Sequence, residues 1–235
     1  MTDRTLKTRM GTRLTALFCA VPETTSEFWD LCCDHGAIGR AMLESRRPCP
    51  VVFNDIHSDI MANLQRQLTA VQAEHYRMYI GPAEQLVLSD SPKPTLMLAG
   101  VGAEQCINIL THLFAQSASA SAIFIISAAT KMHRVRQFLI DQGVFLVHES
   151  VVTENKRSYE ILTIGRDSFS GGKKMSALAG DLFGACWHPD NPDHRRHLNK
   201  LIGFYQAKLQ HRPGENINAT VQGYKDILKK YYAKT

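Results

Sequence analysis

The stretch VFLVHESVVTENKRSYEILTI, residues 144–164, carries two runs rich in Val, Ile, Leu and Tyr, at 144–153 and 159–164, around a polar turn at 154–157. β-Branched and aromatic residues flanking a short polar turn predict a β-hairpin. The chain before it follows another rhythm. Apolar runs at 28–31, 51–54, 76–80, 95–99 and 122–126 predict strands, the third stopping at Gly81-Pro82. Helices are expected between them: 38–44, then a segment capped by Ser58 in which Ile60, Leu64, Leu68 and Val71 recur at helical spacing, then 104–115 and 132–141. A short amphipathic helix over 6–18, ending near Pro22, opens the chain. Strands alternating with helices predict an α/β fold with a parallel sheet covered on both faces. The closing hairpin adds an antiparallel strand, which most nicotinamide-binding folds lack, and makes the expected architecture a Rossmann-like sheet of the class I methyltransferase kind.

Beyond the hairpin the composition turns to Ser, Gly and Lys over 168–174, which reads as a linker. Leu198, Leu201, Ile202, Tyr205 and Leu209 trace one helical stripe. Tyr224, Ile227, Leu228 and Tyr231 trace a second, with Pro213-Gly214 between them. Two helices folded back on each other account for the pattern. The expected organisation is a sheet domain over 1–167 and a coiled-coil-like helical hairpin appendage over 175–235.

Of the 235 residues, 44% are hydrophobic and 21% charged, ordinary proportions for a folded soluble chain. No apolar run approaches the ~20 residues of a membrane-spanning helix. The first apolar stretch, 14–22, is too short and interrupted for a secretory signal. A cytosolic protein without membrane contact is expected. The six cysteines (Cys19, Cys32, Cys33, Cys49, Cys106, Cys186) form no C-x-x-C pair and read as reduced, mostly buried small hydrophobes. The net charge of +5 is unevenly spread. Arg4, Lys7, Arg9 and Arg13 face only Asp3 at the start, and residues 190–235 hold nine Lys/Arg against four Asp/Glu. Basic ends around a mildly acidic centre suit contact with a polyanion, although two solvated helix surfaces would give the same count.

The chemistry is expected in Trp29-Asp30-Leu31-Cys32-Cys33-Asp34-His35-Gly36, between the first strand and its helix. In an open α/β sheet, ligands bind at the carboxyl ends of the strands beside the switch in strand order. Small residues there let a cofactor's methionine part approach the backbone, and a carboxylate, Asp30 or Asp34, can face its ammonium group. Twenty-five residues after Asp30, Asp55 ends the second strand, where a carboxylate can accept both ribose hydroxyls. The alternative is that both acids merely end their strands. The G-x-G-x-x-G of a nicotinamide dehydrogenase is absent from the first turn, and Gly100-Val101-Gly102 after the fourth strand is a weak signal by itself.

Several segments carry a family resemblance. Asp30-Leu31-Cys32-Cys33-Asp34-His35 is similar to D-I-G-S-D-H, and Leu98-Ala99-Gly100-Val101-Gly102 to I-A-G-M-G. The run from Val135-Arg136-Gln137-Phe138-Leu139 through Gly143 to Tyr159-Glu160-Ile161 is similar to V-R-x-x-L…NG…YEI. Leu182-Phe183-Gly184 matches an L-F-G, and Arg13-Leu14 the Arg-Leu of a first helix. These are motifs of the bacterial tRNA adenine-N1 methyltransferases of the TrmK family, which modify a D-arm adenine, and residues 12–209 resemble that family. The resemblance departs at Cys32, which replaces the first-turn glycine, and at Ala37 and Gly39, which replace the Tyr and Pro of D-H-A-Y-L-P.

The resemblance implies S-adenosylmethionine (SAM) as cofactor, with Asp30, Cys32, Cys33, His35, Gly36, Asp55, Ile56, Ala83, Glu84 and Ala99 around it. It places Gly100 and Gly102 close to the reacting methyl group and makes Asp34 the best side-chain candidate for a polar catalytic role. It implies tRNA as partner, its phosphates gripped by Lys7, Arg9, Arg13, Arg195 and Arg196. Other readings stay open: a non-catalytic RNA- or protein-binding module on the same fold, or a different methyl acceptor. Cys186, His188, His194 and His197 lie within twelve residues, but their spacing matches no standard zinc pattern, and no metal is expected.

Overall fold

The computed structural model describes residues 7–45, 49–167, 171–175, 192–211 and 217–232. Eight strands form one sheet: β1 (Glu27–Leu31), β2 (Val51–Asp55), β3 (Tyr76–Ile80), β4 (Pro94–Ala99), β5 (Ile123–Ser127), β6 (Phe145–Glu154), β7 (Arg157–Gly165) and β8 (Lys173–Lys174). Their order is β3-β2-β1-β4-β5-β7-β6-β8. β1 to β5 are mutually parallel, and β7, β6 and β8 continue the sheet antiparallel. The chain moves outward from β1 to β3, then returns to the other side of β1 with β4. That reversal opens a crevice above the carboxyl ends of β1 and β4.

Side chains on successive strand residues point to opposite faces, so each face has its own core. Phe28, Val51, Phe53, Met97 and Ile125 pack under α1 (Thr12–Cys19), α2 (Ala37–Glu44) and α3 (Ser58–Ala70). Trp29, Leu31, Leu96, Leu98, Phe124 and Ile126 pack under α4 (Ala103–Phe114) and α5 (Met132–Asp141). All five residues of β1 are buried, as expected of an interior strand covered on both sides.

Two further helices, α6 (Pro192–His211) and α7 (Ile217–Tyr232), pair through Leu198, Ile202, Tyr205, Val221, Tyr224, Ile227 and Tyr232. They lie against the hairpin strands over a buried polar cluster. Arg136 of α5, fully buried, bonds Glu160 of β7 at 2.9 Å and pairs with Glu149 of β6, and His197 of α6 reaches Glu160 at 3.2 Å. Tyr205 bonds His133 of α5 at 2.6 Å. Burial alone would push Glu160 up, but the guanidinium and the imidazole beside it hold its carboxyl at about 2. Glu149, with Glu160 nearby and one cation to share, is pushed up by burial.

Several expectations need correction. The first helix starts at Thr12, not residue 6: residues 7–11 are non-helical, and Thr8 bonds Glu44 through its N–H and its hydroxyl. Ser58 is the first residue of α3 and His57 the cap; Val71, expected on the buried stripe, is exposed past the helix end. The hairpin strands run closer together than expected, leaving a two-residue turn at Asn155-Lys156. Lys173 and Lys174, read as linker, pair with Phe145 and Leu146 at the sheet edge. Cys19 is exposed, not buried. His194 and His197 are buried, the latter against Glu160. Cys186, His188, the Leu182-Phe183-Gly184 segment and Pro213-Gly214 lie outside the described residues. No helix among the described residues is long and apolar enough to cross a membrane.

Candidate active site

β1 ends in a tight turn in which Cys32, Asp34 and Gly36 all have positive φ (+52°, +51° and +63°). Glycine takes this conformation at no steric cost and other residues do not, so Cys32 and Asp34 are held there by their surroundings. The turn is pinned at both ends: Cys33 N–H bonds the Asn54 carbonyl and Gly36 N–H the Cys33 carbonyl. A Cβ on Gly36 would meet Leu64 and Phe53 at 2.7–3.0 Å, and one on Gly39 would meet the Phe53 ring at 2.2 Å. Both glycines let α2 settle onto Phe53. Gly39 also donates its N–H to Asp30 Oδ2 at 2.8 Å. A proline there, as in the resembled pattern, has no N–H to give.

Above this turn lies a cavity of about 800 Å³. It is lined by Asp30, Cys32, Cys33, Asp34 and His35 of the turn, Asp55 and Ile56 after β2, Ala83 and Glu84 after β3, Ala99 and Gly100 after β4, and Arg13 of α1. Of the ten residues expected around the cofactor, Gly36 alone faces away, into the Leu64–Phe53 contact. Gly102 does not line the cavity either; it caps α4, its carbonyl accepting from Cys106 N–H. Gly100, at φ +88°, does line it, and its N–H is taken by the Ser127 carbonyl.

Asp30 is buried, and the Gly39 N–H is its one hydrogen bond among the described residues. Burial pushes its carboxyl up to about 7, with the nearby Asp55 adding to the rise. Asp55 is equally buried but well supplied. Oδ2 accepts from Asp34 N–H at 2.9 Å, and Oδ1 meets His57 through its N–H at 3.1 Å and its ring at 2.8 Å. Burial alone would raise Asp55; the His57 ring and these N–H groups outweigh it and hold the carboxyl below the usual range. Asp34 offers its side chain, 68% exposed, at the rim. Burial pushes the Cys32 thiol up to about 12, so it stays neutral beside the three acids.

The expected phosphate grip divides. Arg13 reaches the cavity: its guanidinium lies 4.6 Å from the Tyr159 ring centre, its Nη2 3.4 Å from where a Gly100 Cβ would stand, and its buried Nε has no partner among the described residues. Lys7 lines a separate cavity with Arg40, Glu44, Leu68 and His75, at the end of the sheet opposite the crevice, because the anchored Thr8 holds it beside the far end of α2. Arg9 is exposed between the two. Arg195 and Arg196 line a groove on α6 away from the cavity.

Sequence reading overlooked three contributors. Asn54 is fully buried in the cavity wall; its amide bonds the Tyr79 and Gly81 carbonyls, and its Oδ1 has no donor among the described residues. His57 clamps Asp55, and Tyr159 carries Arg13. The Asn54-Asp55 pair ending a buried strand was the one available signal, since a central strand does not bury an amide side chain without use for it.

The sequence matches the family of methyltransferase domains over residues 10–162, and the chain belongs to that family. No curated protein sequence matches it. Among solved structures the fold is similar to TrmK of M. capricolum in complex with S-adenosyl-homocysteine (12% identity, TM-score 0.71, 94% of this chain and 99% of that one). It is similar to the m1A22 tRNA methyltransferase TrmK of B. subtilis (17% identity, TM-score 0.66, 95% and 97%). An uncharacterised protein of Listeria monocytogenes shares it too (14% identity, TM-score 0.75, 94% and 100%).

Proposed function

We propose that the chain transfers a methyl group from SAM to N1 of an adenine in the D-arm of tRNA. The observation that carries the reading is Asp30, a buried carboxylate at the carboxyl end of the switch strand with no cation paired to it among the described residues. Desolvating an acid this far is costly unless a positive group arrives to pair with it. The cavity suits an amino-acid-bearing nucleoside: Asp30 for an ammonium, Asp55 at the rim of the second strand for ribose hydroxyls, and Asn54 Oδ1 as a further acceptor. Ile56, Ala83 and Glu84 would flank an adenine, and Cys32, Cys33, His35 and Ala99 would border the rest. The likeness to a TrmK holding S-adenosyl-homocysteine supports the same assignment.

Bound there, SAM supplies a methyl group on a positively charged sulfur. The chain's residues have to place the acceptor against it, because N1 of neutral adenine has a free lone pair and no proton need leave first. N1 lies on the Watson–Crick edge, so the base must come out of its pair to be held. Gly100 would hold the exocyclic amine through its carbonyl, its N–H being spent on Ser127. Asp34 at the rim would stabilise the positive charge that the methylated base acquires. Arg13, stacked on Tyr159, would take the phosphate of the extruded nucleotide, while Arg195 and Arg196 position the rest of the tRNA without reading its sequence. In this division residues 1–167 act on the cofactor and base, and the helices of 175–235 on the tRNA.

Incubation with labelled SAM and total tRNA, followed by mapping of methylated bases, tests the reading; 1-methyladenosine in the D-arm is expected. Label appearing in protein or small molecules, or SAM binding without transfer to any acceptor, would overturn it. In calorimetric titration Asp30→Ala and Asp55→Ala should each weaken SAM at least tenfold, the loss of a charged hydrogen-bond partner being worth about 1.5–3 kcal/mol. Unchanged affinity in both would remove the site.

A further inference from the structure

The β6–β7 turn is built from Asn155 (φ +48°) and Lys156 (φ +63°), both left-handed. Two-residue hairpin turns of this kind favour Asn-Gly, because the second position is strained for any residue with a Cβ. Lysine occupies it here, followed by Arg157; both are exposed, and neither has a carboxylate partner among the described residues. The turn is tied down on each side. Outward, Lys200 of α6 donates its Nζ to the Lys156 carbonyl at 2.9 Å. Lys200 belongs to a groove of about 480 Å³ lined with Arg195, Arg196 and Asn199. Inward, Glu154 accepts from Arg13 N–H at 3.2 Å, capping α1, and Tyr159 carries the Arg13 guanidinium at the cavity mouth. Gly11 makes that cap possible, since a Cβ there would collide with Glu154 Oε1.

We infer that Lys156 and Arg157 form the phosphate contact that carries an RNA strand from the α6 groove to Arg13 at the mouth of the cavity. The inference rests on the reading of the acceptor as RNA. A chain that accepts a strained lysine at the apex of a turn places Lys156 and Arg157 between the cations of the α6 groove and Arg13 at the cavity mouth. Lys156 and Arg157, exposed and without a carboxylate partner among the described residues, suit a phosphodiester backbone and contribute affinity through released counterions.

The test uses the full-length chain and an in-vitro-transcribed tRNA, with binding followed by fluorescence anisotropy across a salt series. The double variant K156S/R157S should lower the slope of log affinity against log salt by about 1.5, each phosphate contact contributing ~0.7–0.9, and should weaken binding about tenfold or more. In methyl transfer the loss should fall on KM for tRNA more than on kcat, and K156R/R157K should restore both. Lys156→Gly separates charge from fold: it should raise the melting temperature by relaxing the turn and still weaken tRNA binding. Calorimetric titration with S-adenosyl-homocysteine reports whether the cavity is intact in each variant. A wild-type chain that binds tRNA with a slope unchanged in K156S/R157S overturns the inference and leaves the acceptor reading standing. A wild-type chain that binds no tRNA, or that poly-glutamate competes for as well as tRNA does, overturns both.

Discussion

Two pairs of buried acids lie in one sheet and meet opposite treatment. In the antiparallel half, Glu149 and Glu160 face Arg136, with His197 closing the group, so burial is compensated from within. In the parallel half, among the described residues, Asp30 has one backbone N–H and no cation, and Asp55 is stabilised by hydrogen bonds and the His57 ring. A compensated acid holds the fold together. An uncompensated one marks a place where something from outside is to bind.

The largest effect should come from breaking the compensated side. Arg136→Met leaves Glu149 buried without its cation and Glu160 with His197 alone, and should cost about 3–5 kcal/mol in urea unfolding; adding E149Q and E160Q should return most of it. The acid limb follows from Glu160, whose carboxyl sits at about 2 in the fold against an ordinary 4.5. Its contribution is present above the ordinary value and lost as pH falls towards 2. E160Q should therefore flatten the stability profile between pH 4.5 and 2.

Asp30 should behave with the reverse sign. Its carboxyl holds a proton up to about 7 in the fold but only to 3.8 unfolded, so stability declines as pH rises from about 4 through 7. Asp30→Asn removes that decline: at pH 8 the melting temperature of the unliganded chain should rise by several degrees, about 2 kcal/mol or more, and at pH 4 hardly at all. If Asp30 faces the ligand's ammonium as proposed, wild-type affinity for SAM should fall about tenfold from pH 8 to pH 6 as Asp30 becomes protonated; a flat profile would separate Asp30 from the ligand. The smallest change is Cys32→Gly, which releases a left-handed cysteine and should stabilise the chain by about 1 kcal/mol in thermal unfolding.

What the sequence disclosed follows the range of the interactions involved. β3 and α5 have the bounds that periodicity predicts, because neighbours a few residues away determine them. α1 does not, since its start depends on a cap from Glu154, 141 residues on. Lys173-Lys174 became strand only by meeting β6. Within the site, the acids ending β1 and β2 are legible because strand position alone sends them to the crevice. Gly36 and Gly102 mislead because a glycine marks any close approach, and theirs serve the packing of α2 and the start of α4. Lys7 lies away from the crevice; charge says nothing about which end of the sheet a residue will reach. The Arg136 cluster leaves no trace in periodicity, which reads its members only as helix and strand residues.

The placement of Tyr159 and Glu154 on a surface hairpin, with Asp30 and Asp55 in the covered strands beside the switch, gives the two halves of the site unequal freedom to change. A substitution in β1 or β2 disturbs both faces of the molecule at once, whereas the side chains of residues 155–157 are exposed and can change without disturbing either core. Descendants of such a chain can rewrite the rim of the cavity while keeping its floor.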